Sequence, residues 1–264
     1  MQTRFFDPLR YRIVQFDQRG CGASRPAGEI RDNRTDLLLE DADSLRRHLG
    51  IDRWLVAGGS WGATLAVLYA AKQREAVRGV LLRGIYLAES GDLRWFFRGA
   101  AARHPEAWER FSRLAPVAAR DNLLSWLAGA LAKGDTVERA RLACGWNEWE
   151  RALSGLPAAA PPEDEALRAL VLRYRIQAHY LTHDCWLGEG EVLSACARLR
   201  GFPVLFLHGA EDCVCRPEGA GRAHASAAGS SLQWVQAAGH DPYHPAMAEA
   251  MAGALERYAA SGRF

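Results

Sequence analysis

One serine lies in a glycine-rich segment, Gly58-Gly59-Ser60-Trp61-Gly62, which fits the pattern G-x-S-x-G. The segment follows a short β-rich run and opens a stretch of small and apolar residues with helical character. A sharp strand-to-helix turn of this kind exposes the serine hydroxyl, and Gly58 and Gly62 leave room where side chains would collide. The start of the helix also directs backbone N–H groups at a developing oxyanion. We therefore predict that Ser60 is a nucleophile and that the Trp61 N–H is an oxyanion donor.

An acid and a base that could activate this serine lie in the last quarter of the chain. A serine hydroxyl is a weak nucleophile, so it needs a base that is itself oriented by a carboxylate. Hydrolases with this serine turn carry the three groups in the order Ser, Asp or Glu, then His. Asp212 and His240 each follow a β-rich run, and Glu211 is the competing acid. We predict that Asp212 orients His240 at the same edge of a sheet as Ser60.

Other histidines are candidates for a metal site or for structural roles. His179 and His183 are spaced to share one helix face, but no acidic third ligand lies near them in the sequence. His208 stands at the end of a β-rich run, where it would support the turn, and Pro242 disfavours a regular helical pairing of His244 with the preceding histidine. Because serine chemistry needs no metal, we expect neither a metal ion nor another cofactor.

Strand and helix signals alternate at both ends of the chain. This alternation predicts a mostly parallel sheet with helices on both faces, in the α/β class. Residues 89–199 are mainly helical in pattern, with prolines at 157–162 dividing them into two groups of helices. We expect an α/β core formed by residues 1–88 and 200–264, interrupted by a helical insert at 89–199. The predicted strands are residues 11–16, 54–57, 77–82, 203–207 and 232–235, and the predicted core helices are residues 36–49, 62–71, 217–227 and 245–258.

Composition and charge exclude several other classes of protein. The 264 residues carry a formal net charge of +2, with 24% charged side chains, and no clustered charge is present to bind nucleic acid or an anionic membrane. The apolar runs are shorter than the ~20 residues that a transmembrane helix needs. The first residues have no apolar core of the signal-peptide kind. Six scattered cysteines suit reduced thiols, so we expect a cytoplasmic protein with no nucleic-acid or membrane partner.

Several segments together resemble the proline iminopeptidases (prolyl aminopeptidases), a family of α/β-hydrolases. The likeness extends from Phe6 to at least His240, and the D-Q-R-G and G-G-S-W-G segments distinguish the family best. It implies an α/β-hydrolase fold, and a serine aminopeptidase that releases N-terminal proline from peptides or amides by hydrolysis of an acyl-enzyme. It also favours Asp212 as the acid. The matching segments are F-D-P at 6–8, F-D-Q-R-G-C-G at 16–22, G-G-S-W-G at 58–62, L-R-G-I at 82–85, W-F-F at 95–97, W-N-E-W-E at 146–150, R-I at 175–176, H-Y at 179–180 and A-G-H at 238–240.

The resemblance implies that the helical insert is a cap whose glutamates bind the free amine of the substrate. The W-x-x-W-E motif places one such glutamate at Glu150. The second family glutamate falls at Gln177, which accepts a hydrogen bond through its amide oxygen but carries no charge. The alternative hypothesis is therefore a general amidase or esterase. Trp95, Phe96 and Trp149 either line a pocket for proline or simply pack the insert.

One family feature is not found in this sequence. Members of the family have an H-G-G-P-G loop upstream of the D-Q-R-G segment, which supplies part of the oxyanion hole. This chain begins after the position of that loop and of an interior strand beside the nucleophile strand. The resemblance therefore implies a protein that begins further upstream or one with impaired catalysis. A non-catalytic truncated relic is the remaining alternative.

Overall fold

The computed structural model describes residues 2–264, and contacts group these residues into two compact units. The first unit contains the described residues up to Phe16 together with Leu39–Asp92 and Leu187–Phe264. The second contains Asp17–Leu38 and Leu93–Trp186. The predicted division into a core of residues 1–88 and 200–264 and an insert of residues 89–199 stays a prediction. In the structure, residues 17–38 belong to the same unit as the helical residues 93–186 rather than to the unit that contains the sheet.

The first unit is built on a parallel sheet, which has four strands in the part of the chain described. The strands follow chain order across the sheet, from β1 at one edge to β4 at the other. Each step is a parallel pairing, so all carboxyl ends meet at one edge of the sheet. The strands are β1 (Trp54–Gly59), β2 (Val77–Arg83), β3 (Val204–Gly209) and β4 (Ser231–Val235).

Helices separate and flank these strands as the alternating pattern predicts. The four core helices expected from sequence are all present, with bounds that shift by a few residues at most. The proline-rich stretch separates α6 from α7, because proline cannot continue a helix. The helices are α1 (Thr35–His48), α2 (Trp61–Lys72), α3 (Ser90–Phe97), α4 (Pro105–Ser112), α5 (Leu123–Lys133), α6 (Thr136–Leu153), α7 (Asp164–Thr182), α8 (Glu191–Ala197), α9 (Pro217–Ser226) and α10 (Pro245–Ser261).

Alternate residues of the central strands are buried on opposite faces of the sheet. Val80, Leu82 and Phe206 belong to one apolar core with residues of α2, α8 and α9. Leu81 and Leu207 belong to a second core with α10. This two-residue period is what a strand covered on both faces requires. The sheet is thereby held rigidly between two helical layers, with its carboxyl edge available to carry a site.

Residues 11–16 were expected to form a strand, and this prediction is wrong. They adopt no regular structure, and β1 pairs with β2 alone among the described strands. The segment is instead anchored to α10, because the Tyr11 hydroxyl donates to the Leu255 carbonyl oxygen at 2.6 Å and its ring packs edge-on against Phe6. A β-rich sequence forms a strand only where a neighbouring strand offers hydrogen bonds, and tertiary packing overrides propensity here.

The second unit is helical and packs around a cluster of aromatic rings. Trp149 is only 1% exposed, and its indole N–H donates to the Phe96 carbonyl oxygen at 3.2 Å. Phe96 is buried as well, so both residues serve the packing of this unit rather than a pocket. The cluster contains Phe96, Phe97, Trp108, Phe111, Trp146, Trp149 and Tyr174.

Residues 17–38 are tied to α7 through Asn33. Tyr180 donates to the Asn33 amide oxygen at 2.7 Å, and His179 Nε2 lies 3.1 Å from the Asn33 carbonyl oxygen. His183 stacks on Trp186, with ring centroids 4.8 Å apart. These contacts give both α7 histidines structural roles. Within residues 2–264, no group of three or more His, Cys, Asp and Glu is placed to hold a metal ion, and no helix is long and apolar enough to cross a bilayer.

Candidate active site

Ser60 occupies a strained turn between β1 and α2. Its φ and ψ are 56° and −126°, in a region that residues with a side chain seldom adopt. The turn is held by the Ser60 N–H, which donates to the Arg83 carbonyl oxygen at 2.9 Å, and by the Ala63 N–H, which donates to the Ser60 carbonyl oxygen at 2.9 Å. Trp61 is the first residue of α2, so its N–H lies at the helix N-terminus as expected.

The turn depends on a close approach of backbone at Gly58. A Cβ there would collide with the Gly62 carbonyl group. Gly62 itself has open space where its Cβ would point, so the prediction that both glycines avoid side-chain collisions is correct for Gly58 and wrong for Gly62. Where β1 passes the first turn of α2, therefore, only the strand residue Gly58 has to lack a side chain.

Asp212 and His240 lie together at the carboxyl edge of the sheet. Asp212 follows β3, His240 follows β4, and His240 Nδ1 lies 2.7 Å from Asp212 Oδ2. The other oxygen, Oδ1, accepts the N–H groups of Val214 and Cys215 at 2.9 Å each. Because Nδ1 faces a carboxylate, Nδ1 carries the hydrogen and donates it. His240 Nε2 is therefore the nitrogen that can accept a proton.

The Asp212 side chain is ionised. Only 3% of the residue is exposed, and this burial by itself would raise the pKa of Asp212. The charge and hydrogen bond of His240, together with the N–H of Cys215, outweigh the burial, so the pKa of Asp212 is lowered. A buried carboxylate held by several donors is suited to orient an imidazole and to stabilise an imidazolium.

Cys215 connects Ser60 with the acid. Its Sγ lies 3.9 Å from Ser60 Oγ, while its backbone N–H donates to Asp212. Burial, with the charge of Asp212, raises the pKa of the Cys215 thiol well above its ordinary range, so the thiol stays protonated and is not a rival nucleophile. Among the described residues, Ser60 has no hydrogen bond to His240; catalytic hydrogen bonds of free enzymes are often long before substrate binds. The catalytic roles of Ser60, Asp212 and His240 stay predictions.

Gly84 leaves the space that the His240 ring occupies. No prediction from the sequence assigned a function to Gly84. It follows β2 with φ of 55°, and a Cβ there would lie 3.2 Å from His240 Cε1 and 3.4 Å from Asp212 Oδ2. These distances are too short for an undisturbed side chain to fit. Its place directly after a central strand, at the carboxyl edge, was the available signal.

Replacement of Gly84 by alanine is expected to displace the His240 ring by a few tenths of an ångström. We expect kcat to fall about tenfold, since small errors in the placement of reacting groups are costly. The left-handed backbone adds a stability loss of roughly 1–2 kcal/mol. Gly50→Ala is the matched control, because Gly50 has φ of 64° and open space around its Cβ position. Equal kcat losses in both variants, measured with thermal unfolding, would show that contact with His240 is not the cause.

His208 supports the loop that carries Asp212. It is fully buried on β3, and its Nε2 donates to the Cys215 carbonyl oxygen at 2.9 Å and lies 3.7 Å from Asp212 Oδ2. Its Nδ1 is buried and has no hydrogen-bond partner among the described residues. Burial lowers the pKa of His208 despite the opposing charge of Asp212. A proton on Nδ1 would have no acceptor, so the ring is neutral.

Mild acid is expected to destabilise the fold through His208. The unfolded chain, with a histidine pKa near ~6.5, binds the proton more readily than the folded protein. Stability is therefore present above that pKa and falls as the pH drops from about 7.5 to about 5.5. We expect His208→Gln to show a smaller fall in the free energy of unfolding over this range. His48→Gln, at an exposed position on α1, should keep the wild-type dependence; an unchanged dependence in His208→Gln would contradict the assignment.

Glu150 and Gln177 meet between α6 and α7 in the helical unit. Glu150 is largely buried, and its carboxylate accepts hydrogen bonds from Arg173 Nη2 and the Tyr174 hydroxyl, both at 2.9 Å. Gln177 donates through Nε2 to the other carboxylate oxygen. The charge of Glu150 raises the pKa of Arg173, and burial followed by that charge raises the pKa of Tyr174 well above its ordinary range. No motif in the sequence marks Arg173 and Tyr174 as partners of Glu150.

Comparisons with known proteins show which families the chain resembles. The sequence matches the family described as alpha/beta hydrolase fold over residues 1–246. It is 37% identical over 261 residues to the proline iminopeptidase of Xanthomonas citri, covering 97% of this chain and 83% of that one. It is 34% identical over 264 residues to a probable proline iminopeptidase of Leptolyngbya boryana, covering 97% and 81% of the two chains.

Solved structures show the same fold at lower sequence similarity. An esterase from Exiguobacterium antarcticum superposes with a TM-score of 0.58 at 17% identity, over 93% of this chain and 80% of that one. Likeness at this level shows the fold alone, whereas the sequence matches extend over most of the length of both relatives. The chain is thus an α/β-hydrolase and belongs to the proline iminopeptidase family.

Proposed function

We propose that this protein is a serine aminopeptidase that releases N-terminal proline from peptides. The observation that carries the proposal is the hydrogen bond of 2.7 Å between His240 Nδ1 and Asp212 Oδ2. It lies at the same edge of the sheet as the strained Ser60 turn. Names of the relatives supply the substrate class, an N-terminal proline. An oriented imidazole and a serine at the same edge of the sheet support acyl transfer by two successive steps.

In the first step, Ser60 Oγ attacks the carbonyl carbon of the N-terminal proline while His240 Nε2 takes the hydroxyl proton. The oxyanion accepts a hydrogen bond from the Trp61 N–H, and Asp212 stabilises the imidazolium. The tetrahedral intermediate then collapses, the C–N bond breaks, and His240 gives its proton to the leaving amine. In the second step, water attacks the prolyl ester under the same base, which frees proline and restores Ser60.

We propose that Glu150, assisted by Gln177, binds the amine of the substrate. A largely buried carboxylate forms a charge-assisted hydrogen bond with an ammonium, which an acylated N-terminus cannot offer. Gln177 already donates to Glu150 through its amide nitrogen, so its amide oxygen is the group suited to accept from an ammonium. The peptide's free amine would thereby be selected over blocked analogues.

A general amidase or esterase is the second candidate, and the surroundings of Glu150 favour it. The carboxylate is already paired with Arg173, and Gln177 adds no second negative charge. A substrate ammonium must therefore compete with the guanidinium of Arg173, which weakens discrimination against uncharged substrates.

Three substrates separate the two candidates when tested on the purified protein. These are a fluorogenic prolyl amide with a free amine, its N-acetyl analogue and a simple aryl ester. The proposed function predicts the largest kcat/KM for the free amine. Preference for the N-acetyl amide or the ester would instead establish the second candidate, and no turnover of any of them would overturn both.

Glu150→Gln is expected to lower kcat/KM for the free prolyl amide by about 10- to 100-fold, as loss of a charged hydrogen bond of ~1.5–3 kcal/mol implies. Arg173, left without its counter-charge, would further repel the substrate ammonium. Turnover of the N-acetyl analogue should change little. The matched control is Glu148→Gln on the exposed face of the same helix. An equal loss on both substrates would contradict an amine-binding role for Glu150.

A further inference from the structure

Arg83 links the two segments that carry the nucleophile and the base. It is the last residue of β2, next to β1 in the sheet and opposite Gly59 in the register. Its carbonyl oxygen accepts the Ser60 N–H at 2.9 Å, so the Arg83 backbone holds the nucleophile turn. Its guanidinium Nη1 donates to the His240 carbonyl oxygen at 2.7 Å, so its side chain holds the base.

The guanidinium of Arg83 also lies directly against the backbone that precedes Ser60. A Cβ built on Gly59 would lie 2.5 Å from Arg83 Nη2 and 2.8 Å from Nε, so a side chain there would have to displace the guanidinium. The planar group is therefore confined on one side by the Gly59 backbone, and on the other it ends at the His240 carbonyl group. A single side chain thus spans from the nucleophile strand to the base loop.

Burial of the charged Arg83 side chain lowers the stability of the fold unless its interactions compensate. It is 4% exposed, and burial lowers the pKa of its guanidinium, although the charge of Asp212 acts in the opposite direction. Among the described residues, Arg83 forms no ion pair within 4.0 Å. A buried cation without a close counter-charge is usually less favourable than an apolar residue of similar size. We therefore look for the role of Arg83 in the group that its hydrogen bond holds, the His240 carbonyl oxygen.

We propose that Arg83 is a positioning residue for the hydrolytic reaction. It fixes the backbone of His240 relative to that of Ser60, so that His240 Nε2 reaches the serine hydroxyl when substrate binds. This role rests on the proposed function only in requiring that Ser60 and His240 react together. It applies to any acyl substrate, because Arg83 acts on the backbone that carries the two reacting groups.

The test compares Arg83→Met with Arg83→Lys in the full chain. Methionine fills much of the same space without a donor, whereas lysine keeps one charged donor but cannot lie flat against Gly59. The readouts are the rate at which a fluorophosphonate labels Ser60, and kcat and KM for the prolyl amide, each divided by the concentration of titratable serine. We expect Arg83→Met to lower the labelling rate and kcat about 10- to 100-fold with KM nearly unchanged.

Arg83→Lys is expected to lower kcat and the labelling rate by about three- to tenfold, between wild type and Arg83→Met. Arg46→Met is the matched control, because Arg46 near the end of α1 also donates to backbone carbonyl oxygens and to an acid, but its partners are Asp43, Ile51 and Asp52 rather than the nucleophile turn or the base loop. It should lower the melting temperature while the rate per titrated serine stays at the wild-type value. If Arg83→Met likewise had a lower melting temperature but an unchanged rate per titrated serine, the proposal would be overturned. If Arg83→Met does not fold, the same result in Arg83→Lys would overturn it.

Labelling separates this inference from the proposed function. If wild-type protein reacts with the fluorophosphonate at Ser60 but does not cleave the prolyl amide, the substrate assignment fails while the labelling rates still test Arg83. If the wild-type protein is not labelled at Ser60 at all, the role of Arg83 fails with the serine mechanism.

Discussion

Ser60→Ala is expected to abolish hydrolysis of a fluorogenic prolyl amide, with kcat falling by about 10⁴-fold or more. The reason is chemical, since alanine offers no oxygen to form the prolyl ester and no other nucleophile replaces it. The neighbouring Cys215 thiol is buried, and its pKa is raised well above the ordinary range, so it cannot take over as a thiolate. Initial rates with saturating substrate, and covalent labelling by a fluorophosphonate, measure the loss directly.

The matched control for this variant is Ser194→Ala. Ser194 lies exposed on α8, and its hydroxyl only bonds the Gly190 carbonyl oxygen within the helix. Its removal should leave kcat and labelling unchanged. Alanine meets the same backbone penalty as serine at φ of 56°, so thermal unfolding should show no relief of strain in Ser60→Ala. Serine-independent turnover in Ser60→Ala, above the rate of a blank, would refute the mechanism.

The order of the elements and the placement of Ser60, Asp212 and His240 after strands could be predicted because each has a local signal. Ser60 lies in a glycine turn between a strand and a helix, and Asp212 and His240 each follow a strand. Parallel strands bring such positions to one edge of a sheet whatever the details of packing. The strand predicted at residues 11–16 fails for the complementary reason, since pairing depends on a neighbour that the local sequence does not specify.

Partnerships between distant side chains could not be predicted from either residue alone. Arg83 reads as a polar end to an apolar strand, and nothing near it in the sequence indicates a bond to the His240 carbonyl oxygen. The pairing of Arg173 with Glu150 likewise depends on how α6 and α7 align, because several basic residues of α7 have helical spacing. Gly84 is similar, since the need for a bare Cα comes from the place of the His240 ring. Such contacts emerge only once the fold sets the distances.

Asp212→Asn is expected to lower kcat by about 10⁴-fold, although it changes one atom of a buried side chain. The geometry explains why. The N–H groups of Val214 and Cys215 both require an oxygen acceptor, which the asparagine carbonyl oxygen supplies in the place of Oδ1. The asparagine NH₂ group then faces His240 Nδ1 and donates to it. His240 must carry its hydrogen on Nε2 instead, and that nitrogen can no longer take the proton of Ser60.

Glu211→Gln is the control that decides between the two adjacent acids. Glu211 is exposed, and among the described residues its one hydrogen bond joins its backbone N–H to the Ala238 carbonyl oxygen at 3.0 Å. Its replacement should leave kcat and KM within about twofold of wild type. Binding of the prolyl substrate should persist in Asp212→Asn, because the acid orients the base and does not touch the amine, so the loss should fall on kcat rather than on KM. A large loss in Glu211→Gln with activity retained in Asp212→Asn would reverse the assignment of the acid.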